Sequence, residues 1–138
     1  MTVDRGIRLT ASTEPASVES VHALLERLWL EHGDVLPEDR MRFEIAVTEI
    51  AGNIIRHATD GGRIDFELEV VAQPDRLQAD FRDDGKPVDV DLSGATLPDQ
   101  LAESGRGLAL ALATVHELNY RRDGSTNHWR IVRWRTEQ

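Results

Sequence analysis

The chain has 138 residues, 40% hydrophobic, with 25 acidic against 16 basic side chains, a formal net charge of −9 and no cysteine. This suits one folded domain spanning 1–138 and excludes disulfides and thiolate metal sites. The acidic field repels phosphate backbones and anionic lipid, no apolar run reaches the roughly 20 residues that span a bilayer, and residues 1–6 lack a signal-peptide core, so direct nucleic-acid and membrane roles are excluded and a cytoplasmic protein is expected.

Ile7, Leu9 and Ala11 alternate with Arg8 and Thr10, which predicts a short strand suited to a sheet edge. Ser12 to Glu14, followed by Pro15, reads as a helix start, and Val18, Val21, Leu24, Leu25 and Leu28 carry helical spacing across 15–32. Pro37 opens a second helix through Phe43, Val47, Ile50 and Ile54 towards Ala58, broken by Asp60-Gly61-Gly62. Ile64, Phe66, Leu68 and Val70 alternate with acidic residues, and after a turn at Gln73-Pro74-Asp75 so do Leu77, Ala79 and Phe81 with polar ones, a hairpin ending at Asp83-Asp84-Gly85. From Lys86 to Ser104 there is little periodicity, and a loop of that length in a small domain is usually functional or mobile. Leu108, Leu110, Ala111, Leu112, Val115 and Leu118 predict a third helix beginning at Gly107. Tyr120 falls in a strand before an Asp123-Gly124 turn, and Trp129 to Trp134 form the last strand. The mixed order predicts an α+β fold: a two-layer α/β sandwich with a mostly antiparallel sheet and helices on one face.

Three short motifs carry chemistry. Glu49, Asn53 and His57 fall within about an 80° arc of the second helix, beside its apolar stripe. The rim of a buried face can line a pocket, and the same spacing also suits an ordinary surface pair. With a nucleotide present, the Asn53 carboxamide offers a hard oxygen to magnesium, and Glu49, one turn earlier, can orient or deprotonate an attacking hydroxyl. Asp83 shares strand parity with Leu77, Ala79 and Phe81, so its carboxylate points to the buried face and needs a donor. The exocyclic amine of adenine fits, with Gly85 allowing close approach of the base, and a plain Asp-Asp-Gly turn is the other reading. Gly105-Arg106-Gly107-Leu108, at a helix start, presents free N–H groups and a guanidinium to an anion, and a hinge would look the same. It is neither a Lys-containing phosphate loop nor a dinucleotide fingerprint. His116-Glu117 is similar to a sensor-kinase phosphoacceptor box but is placed at the end of the third helix. His22 and Trp29, Trp129 and Trp134 read as packing residues, and no spacing suggests zinc.

In order and spacing these motifs resemble the ATP-binding fold of gyrase, the heat-shock chaperone, histidine kinases and mismatch-repair ATPases. Glu49-x-x-x-Asn53 looks like its N box, Asp83-x-Gly85 its first glycine box and Gly105-x-Gly107 its second. The wording from Val47-Thr48-Glu49 to Ile54-Ile55-Arg56-His57 and the short length look most like the anti-sigma-factor serine/threonine kinases, the RsbW-like proteins. The resemblance implies a Bergerat-type sandwich binding ATP and Mg2+, a mobile lid over about 86–104 and a homodimer. It also implies a protein that holds a sigma factor inactive and phosphorylates an anti-anti-sigma protein of the STAS type. Carried over, Glu49 is the catalytic base, Asn53 the magnesium ligand and Asp83 the adenine reader. His57, Gly85 and Leu108 line the nucleotide, and Gly105, Arg106 and Gly107 cradle its phosphates. The first glycine box often continues to a second glycine, whereas Lys86-Pro87 stand here, which implies a stiffer lid hinge. An ATP-responsive binding protein without kinase activity is the alternative. A histidine-kinase catalytic domain is disfavoured because no helical hairpin with a phosphoaccepting His precedes the motifs.

Overall fold

The computed structural model describes residues 6–57, 63–87, 109 and 111–136. Period-two segments become β1 (Ile7–Ser12), β2 (Asp65–Ala72), β3 (Arg76–Asp83), β4 (Glu117–Asp123) and β5 (Thr126–Trp134), and the amphipathic ones become α1 (Ser17–Glu31) and α2 (Pro37–His57). The strands form one antiparallel five-stranded sheet in the order β1-β2-β3-β5-β4, with β1 at an edge as its short alternating pattern suggests. The β4–β5 turn needs Gly124, whose φ of 62° is the left-handed conformation that a side chain disfavours.

The sheet's two faces differ as the alternation dictates. Phe66, Leu68, Val70, Leu77, Ala79, Phe81, Trp129 and Ile131 point inward and are buried under Val21, Leu24, Leu25 and Leu28 of α1 and Phe43, Val47, Ile50 and Ile54 of α2. Each such large side chain contributes about 1.5–3 kcal/mol as an upper estimate, so this layer contact dominates stability. On the opposite face the registers align Arg8, Glu69, Asp80, Arg130 and Asn119 in one row and Thr10, Glu67, Arg82, His128 and Arg121 in the next. Both rows are polar and mix acids with bases, as a sheet face in contact with water permits. His128 is the buried member: its Nδ1 accepts a hydrogen bond from Arg121 Nε at 3.0 Å. Burial pushes its pKa below the ordinary value, with Asp80 opposing and the nearby Arg121, Arg82 and Arg130 reinforcing the shift.

The third helix is shorter than its periodicity suggests. Residues 109 and 111–114 are helical, but Val115 has left the helix and Leu118 lies in β4, opposite Ile131. His116-Glu117 therefore does not end a helix: His116 N–H donates to Val132 C=O at 3.0 Å and Glu117 opens β4. Ala111, Val115 and Leu118 follow helical spacing, yet Leu118 and Tyr120 also follow strand spacing. Pairing with β5, which satisfies backbone groups along the segment, decides for the strand.

A buried ion pair pins one end of α2. Asp39, fully buried in its first turn, accepts from Arg133 Nε and Nη2, both at 3.0 Å, and from Thr136 N–H and Oγ1 at 2.9 and 3.0 Å. Arg133 Nη1 also donates to Thr114 C=O at 3.0 Å, at the end of the third helix. Burial alone would raise the Asp39 carboxyl, but the Thr136 hydrogen bonds and the Arg133 guanidinium outweigh it and hold the group below the usual carboxylate value.

Candidate functional site

The Asp39–Arg133 pair fixes the first turn of α2 against β5. From Asp39 to Asn53 the helix advances about 21 Å, at about 1.5 Å per residue. From Arg133 back to Asn127, β5 covers about 20 Å at about 3.4 Å per residue. The two lengths are nearly equal, and at the far end of that stretch of β5 Asn127 pairs with Asp83 of β3. Asn53 comes from the helical layer and Asp83 from the sheet.

On the helix, Asn53 is buried while Glu49 is half-buried, so the polar stripe does lie on the rim of the packed face. Asn53 Oδ1 accepts a hydrogen bond from Arg56 Nη2 at 2.9 Å. This oxygen already attracts a cationic donor, so its chemistry fits a hard cation. Among the described residues no cluster of three His, Cys, Asp or Glu could hold a metal by itself. Were magnesium bound, Asn53 Oδ1 is the oxygen that would hold it and help neutralise phosphate charge.

On the sheet, β3 continues without a bulge to Asp83, whose side chain is buried as its parity requires. Its Oδ1 accepts from Gly85 N–H at 2.8 Å and from Asn127 Nδ2 at 3.0 Å. The first bond makes Asp83-Asp84-Gly85 an Asx turn, so the turn reading and the buried-carboxylate reading hold together. Asp83 thus draws two of its donors from the chain itself, and among the described residues both fall on one oxygen.

Asn127 and Arg122 are the residues that motif reading missed. Asn127, 1% exposed, donates through Nδ2 also to Gly85 C=O at 3.2 Å and Lys86 C=O at 2.8 Å. Its Oδ1 accepts from Tyr120 Oη and from Arg122 Nη1, while Arg122 Nη1 reaches Gly85 C=O at 2.9 Å. The loop after β3 is thereby clamped to β4 and β5. The available signal was parity: Asn127 alternates with Trp129 and Ile131 on the inward face, where an amide must find partners. Of the remaining expectations, the His57 side chain, Gly105, Arg106, Gly107 and Leu108, and the lid beyond Pro87 lie outside the described residues.

The two-layer sandwich of helices on an antiparallel sheet defines a class, and sequence comparison agrees. The chain belongs to the histidine kinase-like ATPase domain family, whose profile spans residues 11–133, and membership implies ATP binding. No curated protein matches the chain. Among solved structures it is similar to the RsbU and RsbW domains of Rv1364c from Mycobacterium tuberculosis, with 18% identity, a TM-score of 0.63, and coverage of 96% of this chain and 33% of that one. It also resembles the histidine kinase domain of the blue-light activated kinase of Erythrobacter litoralis EL346, with 18% identity, TM-score 0.51, and 83% and 59% coverage. The Acinetobacter baumannii histidine kinase AdeS matches with 16% identity, TM-score 0.50, and 88% and 74% coverage. The chain thus spans a third of the first of these and has an RsbW-like fold. Among the described residues no helix is long and apolar enough to cross a membrane.

Proposed function

We propose that this chain is an ATP-dependent serine/threonine protein kinase and anti-sigma factor, a single cytoplasmic domain that sequesters a sigma factor as a homodimer and phosphorylates an anti-anti-sigma protein of the STAS type. The observation that carries the reading is the burial of two polar residues of the motifs, Asn53 on α2 and Asp83 at the end of β3, with half-buried Glu49 one turn before Asn53. In this reading Asp83 receives the exocyclic amine of adenine, Gly85 leaves room for the base, and Asn53 would hold Mg2+. His57 and Leu108 flank the nucleotide, and Gly105, Arg106 and Gly107 bind its phosphates.

Glu49 takes the proton from a serine or threonine hydroxyl as that oxygen bonds to the γ-phosphorus. The bond to the β-phosphate oxygen breaks and ADP leaves. Positioning supplies most of the rate, because the phosphoryl group needs little covalent help from the protein.

A second reading, an ATP-responsive binding protein without phosphoryl transfer, draws on the loop after Gly85. Asn127 holds the Lys86 carbonyl and Pro87 has a fixed φ, so the chain leaves Gly85 with restricted freedom to close over a nucleotide. Labelled ATP, the purified chain and STAS-domain candidates distinguish the two. Phosphate on the candidate that disappears with Glu49→Ala, while sigma-factor binding persists, supports the kinase. ATP binding without transfer to any candidate leaves only the second reading.

A further inference from the structure

Arg56 is an exposed residue three positions beyond Asn53, yet its guanidinium turns back along α2. Nη2 donates to Asn53 Oδ1 at 2.9 Å. Gly52 provides the surface for this turn: a Cβ there would stand 3.2 Å from Arg56 Nη1 and 3.8 Å from its Cζ. A cation is thus seated, over a residue with no side chain, on the one amide oxygen that the proposed function assigns to a metal. A carboxamide oxygen has two lone pairs, but two cations sharing it repel across a few ångströms.

We infer that Arg56 and the divalent cation are alternative partners of Asn53 Oδ1, so that Arg56 must release this oxygen before it can serve a metal and thereby raises the magnesium concentration needed for tight nucleotide binding. The inference rests on the proposed reading of the site as one for Mg-ATP. Arg56 is a positioning residue here: it holds the Asn53 carboxamide in a fixed direction and sets the threshold at which that carboxamide changes partner.

The test is a magnesium titration of binding of a non-hydrolysable ATP analogue to the whole chain. It compares wild type, Arg56→Met, Asn53→Ala and the double variant, with thermal melts as folding controls. In Arg56→Met the magnesium concentration at half-maximal binding falls by about two- to five-fold, the scale for losing one exposed charged contact. In the Asn53→Ala background the same substitution leaves that midpoint unmoved, because the shared oxygen is gone. An unmoved or higher midpoint in Arg56→Met overturns the inference. So does an affinity loss equal with and without magnesium, which would place Arg56 on the nucleotide instead. If wild type binds no adenine nucleotide at any magnesium concentration, the site reading falls and this inference with it; analogue binding with an unmoved midpoint sinks the inference alone.

Discussion

The two ends of α2 each bury a polar residue, and they are built differently. At the first end Asp39 meets a guanidinium, a hydroxyl and a backbone N–H, all supplied by the strand and tail beside it. At the other end Asn53 is met by Arg56 from its own helix, and Asp83 by Gly85 and Asn127 from its own sheet. The first cluster joins the two layers; in the second, the described hydrogen bonds stay within each layer. A polar group that joins layers stabilises the fold, whereas the described bonds of Asn53 and Asp83 do not tie the helical layer to the sheet.

Breaking the first end should produce the largest effect. Asp39→Ala leaves Arg133 buried without its counter-charge and is expected to cost about 3–5 kcal/mol of folding stability in urea denaturation. Acid should act on the same pair. Because Asp39 has a folded-state pKa below its unfolded value, its contribution is complete above the unfolded carboxylate range and is lost as pH falls through the folded value. A denaturation series from neutral to acid pH should show that loss in wild type and less of it in Asp39→Asn. Equal slopes would deny Asp39 the role.

At the other end, Asp83→Asn should weaken ATP binding by about 1–3 kcal/mol in calorimetry, the scale of one charged hydrogen bond, with folding stability reduced far less than by Asp39→Ala. Equal ATP affinity in the two forms would remove Asp83 from adenine recognition. Asn127→Ala lies between the ends in character. It strips one donor from three acceptors, so about 1–2 kcal/mol should be lost from stability, and ATP affinity should fall with it as the Asp83 carboxylate loses its anchor. A stability loss with unchanged ATP binding would make Asn127 merely architectural. The smallest effect belongs to the water-facing side of the sheet, where Arg8→Ala, removing the exposed pair with Glu69, should cost about 0–1 kcal/mol and leave nucleotide binding untouched.

Most elements are legible in the sequence. Strict alternation in β2 and β3 and the apolar stripe of α2 admit few other arrangements, since a shift of one residue would turn Phe66 or Phe81 out to water. The segment from Val115 to Leu118 was not legible, because a short apolar run satisfies both periods. Of the candidate site, Glu49, Asn53 and Asp83 announced themselves by spacing, while Asn127 and Arg122 sit in strands whose partners are some 40 positions away in the chain.

What the sequence alone determined is therefore local: which residues form helix or strand, which side of each is apolar, and which polar residues lie on or beside that side. Tertiary structure decided what those polar residues meet. The Asp39–Arg133 pair ties the first turn of α2 to β5, strand register puts Asn127 beside Asp83, and neither can be read from periodicity, because each is a contact between segments joined only by folding.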